Sequence, residues 1–319
     1  MKAKTAFDAA ITRGEHLLTL YDLLGDQRKR SVREDWASKF RKFMKWKQNE
    51  KIIRVDGDGC IVILRESANI SREHFKHDYL SELLRFSLVA AVSAMDRYFH
   101  DAVVERSWSL LGRKEENIPK ELLKLEIPVL EAKRALSRLK GDNRSRPGNL
   151  VKKAIQDKLH AKFTFQNPDN VLKAARMLGV EDFWSKVATN MPGVPKGNNL
   201  QNRLKQITLR RNQIVHEADL ERKTRQTRLS LREVSSRESK KSVKWIKEFV
   251  QAVDKVFDIA IRTKERDTKM SRNIEAPSTT SLTSNRVILP FAASKISVNG
   301  QNRKFPGDGT PLEPVREAV

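Results

Sequence analysis

The stretch Asp78–Leu111, DYLSELLRFSLVAAVSAMDRYFHDAVVERSWSLL, decides the fold. It is apolar nearly all the way round a 3.6-residue period and holds few capping residues, so it describes one long helix enclosed by others. An enclosed helix needs further helices to cover it, and the rest of the chain offers them. On the N-terminal side, residues 6–24 (AFDAAITRGEHLLTLYDLL) and 32–46 (VREDWASKFRKFMKW) read as helices separated by the polar turn GDQRKRS. KIIRV (51–55) and CIVIL (60–64) flank DGDG and read as a β-hairpin. A calcium loop over the same letters fails, because Arg54 and Arg65 would stand where carboxylate ligands belong.

On the C-terminal side, residues 115–162 are lysine-rich and weakly helical, interrupted by the loop composition KGDNRSRPGN. FTFQNPDNVLKAARMLGVEDFW (163–184) predicts a helix capped by Asn167, with Pro168 in its first turn and Gly179 at its end. In SVKWIKEFVQAVDKVFDIAI (242–261), Val243, Ile246, Phe249, Val250, Val253, Val256, Phe257 and Ala260 trace one apolar face. Five of the 11 prolines fall beyond residue 267 among Ser, Thr, Asn and Gly, a composition that predicts a disordered tail. The expected fold is an all-α helical bundle, with a small N-terminal helical region containing one β-hairpin. Three segments follow: 1–76, 77–266 and the tail, 267–319.

The 319 residues carry 63 Lys+Arg against 40 Asp+Glu, a net charge of +23. A field of that sign attracts polyanions, nucleic acid foremost, with an acidic protein or an anionic membrane as the other takers. Cys60, the single cysteine, forms no internal disulfide, and no Cys/His spacing suggests zinc, so no metal or cofactor is expected. The first apolar stretch is broken by Asp8, Arg13, Glu15 and His16, and SLVAAVSAM (87–95) is too short to cross a bilayer. These features predict a cytoplasmic protein with no membrane partner.

The candidate chemistry lies in RRNQIVHEAD, Arg210–Asp219. Arg72 and His77 repeat the spacing of Arg211 and His216, but in the polar stretch NISREHFKHD with no apolar stripe. Arg211 differs: on a regular helix it lies on the side of Leu204, Ile207, Ile214 and Ala218, so its guanidinium leaves from the packed face. Asn212 and His216 are neighbours four residues apart, with Asp219 one turn beyond. Arg211 and His216 stand about 140° apart on an ideal helix, an angle that distortion of the helix, the reach of the arginine or a second copy would close. The competing reading is an ion pair with Glu217 or Asp219 beside a hydrogen-bonded histidine. His74, His77, His100 and His160 read as surface or satisfied residues, and Trp108, Trp184 and Trp245 as core.

RRNQIVHEAD, placed after the long helix containing SAMDRYFHD, resembles the HEPN family, most closely its RiboL-PSP type, over roughly residues 77–265. Many members are metal-independent RNases of toxin or antiviral-defence systems. The resemblance implies Arg211, Asn212 and His216 as the catalytic motif, with dimerisation bringing two motifs to one cleft. It also marks Asp96 on the earlier helix as a residue that positions Arg211 or favours the charged form of His216; the plainer reading is a structural partner for His100. Arg203, Arg210, Arg222, Lys223 and Arg225 are the expected phosphate contacts beside such a cleft, the plainer reading of the run ERKTRQTRLSLRE (221–233) being a solvated face. The expected partners are RNA, a second copy of the chain, and an acidic antitoxin or defence-system protein. Ala218 stands where some family toxins carry a modifiable tyrosine. The alternatives are a catalytically silent nucleic-acid-binding module and a protein-interaction scaffold.

Overall fold

The long helix is present almost as read, as α3, His77–Leu111, in a computed structural model. The structure describes residues 2–25, 28–57, 60–126, 147–191, 193, 197–221 and 230–275, and these lie almost wholly within one unit, residues 1–273. Residues from Leu80, Leu84 and Leu88 through Val92, Met95, Tyr98 and Phe99 to Val103 and Leu110 are buried, while Tyr79, Phe86, Ser93, Arg97 and Trp108 leave one exposed stripe along α3, so the helix is enclosed on most of its circumference and not all of it. The fold is all-α around this axis, and no helix among the described residues is long and apolar enough to cross a membrane.

α1 (Lys2–Leu24) runs antiparallel along α3. Its first amide groups donate to Glu105 (Ala3 N to Oε2, 3.0 Å), and near its far end the Tyr21 hydroxyl meets His77 Nδ1 at 2.8 Å. Between them Gly14 lies so close to α3 that a Cβ there would stand 2.9 Å from the Ser87 carbonyl oxygen. Phe7, Ile11 and Leu18 enter the same core as α3.

After α1 come a strand β1 (Arg28–Arg30), helix α2 (Glu34–Phe43) and strands β2 (Ile52–Asp56) and β3 (Ile61–Arg65). The strands form one antiparallel sheet in the order β1-β2-β3, with Arg28 opposite Asp56 and Ile52 opposite Arg65. The expected hairpin is therefore joined by a third strand, drawn from the stretch read as a turn. Arg28, Lys29 and Arg30 pair through their backbones, with a long ion pair from Arg30 Nε to Asp56 Oδ2 at 3.8 Å, and carry no apolar alternation to announce a strand.

Beyond α3 lie α4 (Lys120–Leu123), α5 (Pro147–Lys162), α6 (Pro168–Met177), α7 (Phe183–Asn190), α8 (Gly197–His216) and α9 (Ser236–Glu275). The cap of α6 is as expected: the Asn167 side chain accepts from Asn170 N at 2.8 Å, and Gly179 takes φ 68° just past the end. Val243, Ile246, Phe249, Val250, Val253, Val256 and Phe257 of α9 are buried, confirming its apolar face. α9 is tied to α3 by Arg106, which pairs with Asp254 and Asp258, each at 2.7 Å. It extends past the expected boundary at residue 266 to Glu275, since TKERDTKMSRNIE is rich in good helix formers. The expected tail from 276 onward lies outside the described residues. Trp184 is buried, as expected, whereas Trp108 is 43% exposed and lies against Gly148.

Candidate functional site

Helix α8 carries the motif, with Leu200, Leu204 and Ile207 buried on one side. Arg211 follows one turn later on that side and is half-buried. Its Nη1 donates to Asn212 Oδ1 at 3.1 Å, and its Nε is buried with no hydrogen-bond partner among the described residues. A buried N–H donor without an acceptor costs about 1–3 kcal/mol, a shortfall shared among the described residues by nitrogens of His100, Arg106 and Arg113. His216 is the last residue of α8 and is exposed. The hydrogen bonds among the described residues join Arg211 to Asn212 and leave His216 outside that pair.

The ion pair of the competing reading exists, but a neighbour makes it. Asp219, 1% exposed, accepts from Arg85 Nε at 2.6 Å and from both terminal nitrogens of Arg210, Nη2 at 2.9 Å. It reaches that position because the helix ends abruptly: Asp219 N bonds back to Gln213 O at 2.9 Å, with Ala218 and Asp219 at φ 50° and 56°. Ala218 is thus outside the helix, not on the face of Arg211, and Asp219 lies in the reversal instead of a further turn. The outgoing chain is then clamped. Leu220 bridges Leu231, Arg232 N donates to Asp219 O at 2.8 Å, and Arg85 Nη2 donates to Arg232 O at 2.8 Å. Arg232 Nη2 also meets Glu217 Oε2 at 3.2 Å.

Asp96 sits on α3, where it accepts from Phe165 N at 2.5 Å and from Gln166 Nε2 at 3.0 Å. Gln166 O in turn accepts from the buried Thr208 hydroxyl at 2.6 Å, one turn before Arg211 and Asn212. Asp96 therefore grips the loop that steadies the motif helix, and no hydrogen bond among the described residues takes it to Arg211 or His216. The plainer reading of Asp96 is partly present too, as His100 Nε2 lies 3.7 Å away. His100 is buried, stacked on His160 with ring centres 4.2 Å apart, and burial holds its pKa below the ordinary value against the pull of Asp96.

Of the expected phosphate contacts, Arg210 is engaged by Asp219, and Arg203 meets Glu238 at 3.3 Å and Ser242 Oγ at 3.1 Å on α9. Both line a cavity of about 300 Å³ with Leu84, Leu88 and Ile207. On a helix turning about 100° per residue, that flank faces away from His216. Arg222, Lys223 and Arg225 lie outside the described residues. Among the described residues no group of three or more His, Cys, Asp or Glu is placed to hold a metal ion.

Sequence reasoning missed Arg85 and the Thr208–Gln166 link. Arg85 left a signal: a lone arginine inside the enclosed run LLRFSLVAA requires a buried acid, and Asp219 supplies it. Thr208 left none, since its partner is a backbone carbonyl.

No curated protein and no solved structure matches the chain. The model of the RiboL-PSP-HEPN family matches residues 61–258, more than half of the chain. The match covers α3 through most of α9 and begins at β3, before the residue 77 from which the resemblance was drawn. With a helical fold and this match, the chain belongs to the RiboL-PSP-HEPN family, whose domain goes with RNA-related, nuclease-type function in general.

Proposed function

We propose that the chain is a metal-independent endoribonuclease of toxin or antiviral-defence type, acting as a homodimer in the cytoplasm. The observation that carries this reading is the Arg211 guanidinium: half-buried, hydrogen-bonded to Asn212, with its Nε lacking an acceptor among the described residues. Asp219 and Glu217 are engaged by Arg85, Arg210 and Arg232, and Arg211 is in no ion pair among the described residues, which supports its charge being kept for a phosphate. In the reaction the RNA 2'-hydroxyl attacks the adjacent phosphorus, forming the P–O2' bond as the P–O5' bond breaks. His216 takes the hydroxyl proton or gives one to the departing 5'-oxygen, a role suited to an exposed imidazole. Arg211 binds the phosphate oxygens as negative charge builds on them. Asn212 holds Arg211, and Asp96 steadies the helix through Gln166 and Thr208. The products are a 2',3'-cyclic phosphate and a 5'-hydroxyl. Family domains commonly bind RNA and dimerise, which supports RNA as the substrate and a second copy of the chain as the partner.

One observation favours a second reading, a catalytically silent nucleic-acid-binding module: among the described residues no hydrogen bond joins His216 to Arg211. Incubating total RNA with the protein in EDTA, and typing the new termini, separates the two. Under the nuclease reading the wild type generates cyclic-phosphate ends, while His216→Ala abolishes cleavage and leaves RNA affinity nearly intact. Absence of cleavage by the wild type, or equal cleavage by His216→Ala, sinks it.

A further inference from the structure

Helix α2 is built with its large side chains outward. Its buried residues are Ala37 and Arg41, the latter held by Glu34 Oε1 at 2.7 Å and Glu50 O at 2.8 Å. Trp36, Phe40 and Phe43, at positions i, i+4 and i+7, share a stripe roughly 120° from that pair. Trp36 is 41% exposed and Phe43 is 82% exposed. The rings are ordered against one another: Trp36 stacks on Phe40 at 4.8 Å and 14°, and Phe40 meets the edge of Trp46 at 5.5 Å. The Arg65 guanidinium lies 4.3 Å over Trp46. Arg33 and Lys39 flank the stripe around the helix and Lys42 and Lys45 lie at its C-terminal end, all exposed and without ion pairs among the described residues. Residues 28–65 hold twelve Lys/Arg against five Asp/Glu.

An exposed aromatic stripe of this size marks a docking surface, and its charge selects the occupant. We propose that this face of α2 is a stacking platform for single-stranded nucleic acid, with bases on Trp36 and Phe43 and phosphates met by Lys39, Lys42 and Lys45. The inference rests on the reading that the chain acts on RNA, and adds a substrate-holding surface distant in sequence from the motif. Stacked rings interleaved with uncompensated cations match alternating bases and phosphates. A lipid surface fits less well: Lys39 borders the aromatic stripe, about 40° around the helix from Phe43, so pressing the strip into hydrocarbon brings a charge to its edge, whereas a phosphate neutralises it.

The test uses the full chain in a His216→Ala background, so that bound RNA is not cut. The probe is a fluorescently labelled, unstructured 12-nucleotide RNA, read by anisotropy, with the same sequence as a duplex for comparison. Trp36→Ala/Phe43→Ala should weaken single-strand binding about tenfold to a hundredfold and change duplex binding little. Lys39→Gln/Lys42→Gln/Lys45→Gln should reduce the slope of log K against log salt by about 2. Trp36→Leu/Phe43→Leu, which keeps apolar bulk without a stacking face, should behave as the alanine pair and guards against misfolding. Affinities within twofold of the parent for all three variants overturn the platform. So does loss of binding to phosphatidylserine vesicles with RNA affinity unchanged. The two readings fail separately: a wild type that cuts no RNA while these variants lose affinity sinks the nuclease alone, and active wild type with parent-like variants sinks the platform alone.

Discussion

Asp219 is 1% exposed, and its carboxylate meets two guanidinia, Arg85 from α3 and Arg210 from α8. Each arginine finds further acceptors, Arg85 in Ser81 Oγ at 2.5 Å and in Arg232 O at 2.8 Å, so the cluster is satisfied only as a whole. Removing one member of such a buried group leaves charge without compensation, a loss of about 3–5 kcal/mol. Asp219→Asn should therefore lower the urea midpoint by a corresponding amount with an unchanged m-value; a shift worth under about 1 kcal/mol would mean that the cluster is not the clamp described. The motif's residue types were legible in the sequence, and so was Arg211 on the packed side of its helix. The partner of Arg210 was not, because the helix ends at an alanine in left-handed conformation, Ala218, where no glycine announces the stop. Without that stop Asp219 reads as a helical neighbour of His216 instead of the acid beneath α8.

At the scale of elements, the contact of α1 with α3 turns on one missing Cβ. Gly14→Ala would place a carbon 2.9 Å from the Ser87 carbonyl oxygen, backbone against backbone, which neither helix relieves by a rotamer change. The expected outcome is a loss of about 1–3 kcal/mol by thermal or urea melting, although alanine is the better helix former; a stabilised variant would show that α1 does not lie this close. The contact of α3 with α5 titrates. Burial keeps His100 neutral in the fold and holds its pKa below the ordinary 6.5, against the opposing pull of Asp96 and with His160 stacked beside it. Above that value folded and unfolded chains are alike at this residue. As pH falls through it the unfolded chain gains a proton that the folded chain refuses, so stability declines on the acid side. Melting from pH 8 to 5 should show this decline, reduced in His100→Gln; an identical profile in the variant would remove His100 as its source. Elements whose apolar period is strong were legible: α3 starts one residue from its expected Asp78, and the Asn167 cap is where the sequence put it. β1 was not legible, because Arg28–Arg30 pair through backbone groups that no side-chain pattern encodes.

For the whole molecule, the geometry of α8 sets a question of assembly. Arg211 leaves the helix on its packed side and His216, exposed, stands about 140° around from it. The two are bonded to one another in no hydrogen bond among the described residues, while Arg85, Asp219 and Arg232 fix the end of the helix against rotation. A site that needs both groups at one phosphate is then assembled either by the RNA drawing Arg211 outward or by two copies, one giving the arginine and the other the histidine. Mixing separately inactive variants tells these apart. If the site is shared, Arg211→Ala and His216→Ala subunits combined in equal amounts form mixed dimers in which one of the two sites has both groups intact. Activity should return to about a quarter of wild type, since about half of the dimers are mixed and each carries one working site. If each copy works alone, the mixture stays as inactive as its components, and the interface then serves to hold RNA instead of completing the chemistry.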